Sequence, residues 1–285
     1  AAAVDDCWAA TLADLNHPFG FLDLAASVTG RPGGEVDLAV WQAVLRGIGT
    51  IDLVAPEQHA RWADKARDLL AGIVEHLGWT PQTDDDDRTR QLRGSVLAAA
   101  GTLADDSAVL TEARRRWADP TIESDPAVAA AVVSIVASHG DAAVRFECRH
   151  QAENATTAQN EQRHLRALAL FPASTEVELL LEEVHGGMIR TQDAPFLLRS
   201  ALHHPTERAA VWWSITDRWA DLAERLPSNS ISRMLEGVRA LVGDVDPEVD
   251  AFLDAHPVPQ GALMVAQHRE RRLVNQRLRN RLLDT

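Results

Sequence analysis

The 285-residue sequence has no tyrosine, a single lysine at position 65 and only two cysteines. Each scarcity removes a class of explanation. Cys7 and Cys148 stand far apart with no C-x-x-C spacing, so a disulfide framework is excluded. Two isolated thiols suit a reducing compartment and structural burial. The neighbours Arg149 and His150 are the only hint of an activated Cys148. The longest apolar run, AVAAAVVSIVAS at 127–138, has 12 residues, well short of the about 20 needed to span a bilayer. No stretch alternates with period two for long enough to build a sheet. Positive charge is also short. The net charge of −14 argues against nucleic-acid or anionic-membrane partners, both of which demand positive potential. No signal peptide is visible, which points to a cytoplasmic protein. The chain opens at AAAVDDCW without methionine, as expected of a piece of a longer protein.

Catalytic signatures are missing as well. There is no H-E-x-x-H, no G-x-S-x-G and no glycine-rich phosphate loop, so neither a metal site nor a bound cofactor is expected in this chain. The tetra-aspartate Asp84 to Asp87 lacks the glycine and distant glutamate of a calcium loop. It reads instead as a helix-start loop, with Asp87 or an earlier Asp capping the helix that follows. His164 and Glu161 share a helix face, and a lone His–acid pair of this kind is a surface or capping feature.

What is abundant is alanine, leucine and arginine. Alanine and leucine lead the helix-propensity ranking, and breakers recur about every 12 to 20 residues. The pattern predicts an all-α fold, a superhelical stack of antiparallel helix pairs of the HEAT or armadillo kind, with residues 1–285 as one domain and no linker. Residues 266–285 carry six arginines against Glu270 and Asp284, leaving −18 on the remainder. This basic helix could meet an acidic face, but its simpler reading is a solvated surface.

The segment HHPTERAAVWW, residues 203–213, places two histidines near a glutamate. Pro205 discourages a helical His204, so His203 and Glu207 lie on either side of a break and do not form a metal pair. From Trp212 the apolar positions 212, 215, 219, 222 and 226 recur with helical spacing, which predicts one buried stripe.

The wider context resembles a known family. IRTQDAPFLLRSALHHPTERAAVWWSITDRWADL is similar to the C-terminal helical domain of the aminopeptidase N family of zinc metallopeptidases. That family includes the puromycin-sensitive and endoplasmic-reticulum aminopeptidases. Its (I/V)-(R/K)-x-Q-(D/E) phrase is matched by Ile189, Arg190, Gln192 and Asp193. Its N-P-x-G-R-x-x-A-W-x-F is matched in part by 204–213, with His204 and Glu207 in place of Asn and Gly, and its N-W-x-x-L by the stretch around Trp219. VDDCWAATLAD, EVDLAVWQAVLRGIGTI, QNEQRHLRALALF and GALMVAQHRERRLVNQRL resemble further family segments in the same order.

The resemblance implies a non-catalytic domain that closes like a bowl over the catalytic domain of the same polypeptide. That parent would be a monomeric enzyme, with zinc in the catalytic domain, that releases N-terminal residues from peptides. Arg190, Gln192, Asp193, Trp212 and Trp219 become structural motif positions. In some relatives an arginine at the place of His203 holds the peptide's C-terminal carboxylate. A histidine there would bind only while protonated, with an ordinary pKa of about 6.5. Arg199, one turn earlier, offers a permanent charge, and Arg208 matches the family's arginine. The rival reading is a free-standing helical-repeat scaffold binding a protein partner on its concave face.

Overall fold

A computed structural model describes residues 2–29, 36–119, 121–122, 125–243 and 246–284. All regular structure among them is helical, as the periodicity predicts. The chain divides into two compact units, Ala1–Ser138 with Arg281–Thr285, and His139–Asn280. The boundary falls in the three-residue turn 139–141.

The first unit holds α1 (Ala2–Leu12), α2 (Pro18–Thr29), α3 (Leu38–Val54), α4 (His59–Leu77), α5 (Asp87–Thr102), α6 (Ser107–Ala118) and α7 (Pro126–Ser138). Aspartates start several of these helices, because a carboxylate accepts the orphan amides of a first turn and suits its dipole. Asp37 accepts from Ala39 and Val40 at 2.8 and 3.2 Å, and Asp106 from Ala108 and Val109. Within the tetra-aspartate the cap is Asp86, which accepts from Thr89 N at 2.7 Å. Asp85 holds the buried guanidinium of Arg93, whose Nε also donates to Leu77 O at 3.0 Å. Trp41, Trp62 and Phe21 fill the core. The apolar run 127–138 is α7, and it lies against α5 at two glycines. A Cβ on Gly94 would sit 2.6 Å from Ala127 O, and one on Gly101 2.6 Å from Ile135 Cγ1.

The second unit holds α8 (Ala142–Glu153), α9 (Ala158–Ala167), α10 (Ser174–His185), α11 (Ala194–Ala201), α12 (Arg208–Asp217), α13 (Trp219–Arg225), α14 (Ser228–Met234), α15 (Asp246–Ala255) and most of α16 (Ala262–Leu283). The helical spacing that runs from Trp212 to Leu226 is interrupted at Arg218, with φ −110° and ψ 20°, between α12 and α13. The apolar stripe survives the break: Trp212, Ile215, Leu222 and Leu226 are buried, but Trp219 is only half-buried. Both tryptophans set an edge against Phe252 at 5.2 Å. After α14 the chain continues as a 3₁₀ segment over Leu235–Ala240.

The basic α16 is not simply a solvated surface. Arg269 pairs with Asp250 and Asp254 of α15 at 2.7 and 2.6 Å, and Arg272 is fully buried against Asp250. Buried Arg145 joins α8 to α10 through Glu176 and Glu183, each at 3.1 Å. Cys148 is buried, and that burial pushes its thiol up to about 12, which makes it inert. Cys7 is half-buried. No single described helix is long and apolar enough to cross a membrane. One pair, Leu38–Val54 with Pro56–Leu77, reaches that composition only jointly and across a 102° bend.

Candidate functional site

The segment joining α11 to α12 is shaped by His204, which the sequence places where relatives have Asn. The ring is buried, and its Nδ1 accepts from the amides of Thr206 and Glu207 at 3.2 and 3.0 Å. An accepting Nδ1 puts the proton on Nε2, which donates to Phe171 O at 3.1 Å. His204 is therefore neutral and does the work of an N-terminal cap, and burial accordingly lowers its pKa. Arg208 is structural too: its Nε donates to His204 O at 3.0 Å and its Nη1 to Ala240 O at 2.8 Å. The break anticipated between His203 and Glu207 is present, since α11 ends at Ala201 and α12 begins at Arg208.

The I-R-x-Q-D phrase forms a clasp. Arg190 pairs with Asp193 at 2.7 Å and with Glu161 of α9 at 2.8 Å, and Gln162 donates to Asp193 at 2.9 Å. Asp193 is buried at the start of α11, whereas Gln192 is exposed.

His203 lies open to solvent, yet protein crowds it on several sides. That desolvation, with the charges of Arg199, Arg208 and Arg239, pushes its pKa down to about 4 despite opposing Glu236. Desolvation is the larger cause, and the arginine charges act in the same direction. His203 is thus neutral between pH 6 and 8, and the charge expected of it belongs to its neighbours. Arg199 binds Glu236 at 3.0 Å and Arg239 binds the same carboxylate at 3.4 Å. Arg239 Nε also donates to Nδ1 of buried His268, whose Nε2 donates to Ser232 O at 3.0 Å. Three guanidinium groups and one carboxylate act on His203, a local positive excess in a chain of net charge −14. Arg239 and His268 were not singled out in the sequence, because the segments carrying them meet α11 only in the fold.

Among the described residues, no three His, Cys, Asp or Glu side chains assemble in a metal-holding group. The described donors therefore do not fit a catalytic zinc.

Residues 1–272 match the model of the ERAP1-like C-terminal domain, and the chain belongs to that family. Among curated proteins it is similar to Aminopeptidase 2, mitochondrial, of Saccharomyces cerevisiae, with 23% identity over 201 residues. That match covers 68% of this chain and 21% of the relative. It is also similar to the Alanine/arginine aminopeptidase of the same yeast, 23% identical over 203 residues, which are 69% of this chain and 24% of the relative. The chain therefore spans less than a quarter of the length of either relative.

Proposed function

We propose that this chain is the non-catalytic C-terminal domain of a zinc aminopeptidase. In this reading it forms a helical bowl over the catalytic domain of the same polypeptide, in the cytoplasm, and helps to select peptides. The zinc and its chemistry belong to that other domain. Here the Arg199–His203–Arg239 cluster receives the peptide's C-terminal carboxylate.

The observation that carries this reading is the positive excess around solvent-open His203. A carboxylate can enter there without removing a buried ion pair. Arg199 is about one-third exposed, so its fork can turn from Glu236 to a ligand, and a planar guanidinium matches a carboxylate in two contacts. His203 contributes a neutral ring able to donate one hydrogen bond. Arg208 is committed to carbonyls and acts by fixing the segment.

The test uses the full-length enzyme and a mid-length peptide, free or amidated at its C-terminus. Arg199→Ala is expected to raise KM for the free acid about tenfold, the equivalent of one charge-assisted hydrogen bond, and to leave the amide unchanged. The pH dependence of KM between 6 and 8 should be the same in wild type and His203→Ala. Equal effects of Arg199→Ala on acid and amide would overturn the assignment.

A further inference from the structure

The second unit holds another cleft, lined in part by charged side chains, that the carboxylate cluster does not use. It lies between α10 and α12, with a volume of about 470 Å³, within the range typical of small-molecule sites. Glu178, Glu182 and His185 line one wall, spaced four and three residues apart along α10, while Ser214 near the end of α12 and Arg218 just past that end line the other. The two walls are joined by a hydrogen bond of 2.8 Å between His185 Nε2 and Ser214 Oγ.

Two features set this cleft apart from an ordinary groove. First, the side chains of Glu178, Glu182 and Arg218 face it with no ion pair or hydrogen bond to another described residue, in a protein whose other arginines commonly find partners. Second, His185 is rigidly held with part of its ring unsatisfied. Arg225 donates to His185 O and Val184 O at 2.9 and 3.1 Å, fixing the backbone, while the buried Nδ1 has no partner. Burial and the charges of Arg218 and Arg225 lower the His185 pKa, which keeps the ring neutral at pH 7. With its proton on Nε2 the ring donates to Ser214 Oγ. The serine O–H is then free to donate into the cleft.

The cleft is therefore dipolar. Arg218, with the Ser214 hydroxyl, makes the His185 end a carboxylate acceptor, and Glu178 and Glu182 make the remainder an ammonium acceptor. Residues three or four apart on a helix have Cβ atoms about 5–6 Å apart. Two turns span about 11 Å. The separation between the two ends thus exceeds that within an α-amino acid and suits a ligand about two residues long. We propose that the α10–α12 cleft binds a small zwitterion of dipeptide length, its carboxylate on Arg218 and Ser214 and its ammonium on Glu178 and Glu182. The site is independent of the aminopeptidase reading.

Calorimetric titration of the 285-residue chain with alanyl-alanine tests it, with N-acetyl-alanyl-alanine and alanyl-alanine amide as singly charged probes. Saturable binding of the zwitterion is expected, at least about tenfold tighter than either capped form. Arg218→Ala and the double change Glu178→Gln with Glu182→Gln should each weaken it about tenfold or more. All three side chains are exposed, so the variants should fold, as circular dichroism would verify. Arg199→Ala should leave the titration unchanged. The proposal is overturned by the absence of saturable binding up to about 10 mM, by equal binding of the acetylated form, or by indifference to the glutamate changes. Loss of binding in Arg199→Ala would also overturn it, by placing the dipeptide at the His203 cluster.

Discussion

His59 sits between two carboxylates, with Nδ1 2.6 Å from Asp52 and Nε2 3.0 Å from Asp105. It ties α3 and α4 to the α5–α6 turn, where Asp105 adopts a left-handed φ of 47°, a conformation that Asp tolerates better than most residues. The hydrogen bond to Asp52, against opposing desolvation, raises the His59 pKa to about 9. A group whose folded pKa is raised contributes stability that is complete below its unfolded value near 6.5 and lost as pH rises through the folded value. The contribution is at most about 3 kcal/mol, and less in practice because Asp105 is half-exposed. Urea midpoints of wild type and His59→Asn should therefore converge between pH 6.5 and 9.5, with the wild type ahead only on the acidic side. A constant gap would remove the charge from the account. At this scale the sequence was a partial guide. The resemblance singled out His203 and Arg199, but which histidines are neutral depends on partners such as Phe171 O and Arg239, which come from distant segments. Cys148 was legible: it reads as a structural thiol despite its basic neighbours, and burial leaves the thiol protonated. Ellman's reagent at pH 8 should therefore react with Cys7 in the folded chain and leave Cys148 unmodified until denaturant is added.

At the scale of elements, breakers and caps were the readable part. Asp, Pro and Gly marked most helix boundaries because each acts locally, by accepting orphan amides or by barring helical φ and ψ. The break at Arg218 had no such signal. Across it Trp212 and Trp219 both set an edge against Phe252, a contact with a distant segment that the local pattern does not encode. The α5–α7 contact was hidden in the same way: nothing in the sequence tells a glycine needed for close approach from one merely tolerated. Two glycines separate the cases. Gly101→Ala should destabilise by about 1–3 kcal/mol, because its methyl group meets Ile135 and overpacking outweighs the helix propensity gained. Gly72→Ala, on the exposed face of α4 with nothing within 4 Å, should stabilise by up to about 1 kcal/mol. Denaturant midpoints of the two variants should move in opposite directions, and Ile135→Val should recover part of the first loss.

For the whole molecule, the all-α class was legible because helical periodicity is spread over hundreds of residues, and the family because its segments recur in order. The division into two compact units was not, since the turn at 139–141 is as short as others within each unit. The near-exclusive use of arginine also had no reading in sequence, and the fold supplies one. Arg93 reaches Leu77 O, Arg67 reaches Ala104 O at 2.7 Å, and Arg225 binds two carbonyls at the end of α10. Each uses the guanidinium's fixed fork of donors to finish a helix terminus while meeting other partners, which a compact ammonium does poorly. It follows that the folded chain offers amine chemistry one side chain, Lys65, so acylating enzymes or reagents have almost no purchase on its charge. The guanidinium groups also stay protonated far into alkali. Treatment with an acetylating ester should shift the melting temperature by less than about 2 °C, whereas a dicarbonyl that consumes arginine should dismantle the helix ends. Any signal that acts on this domain through its charge must be written in some language other than lysine modification.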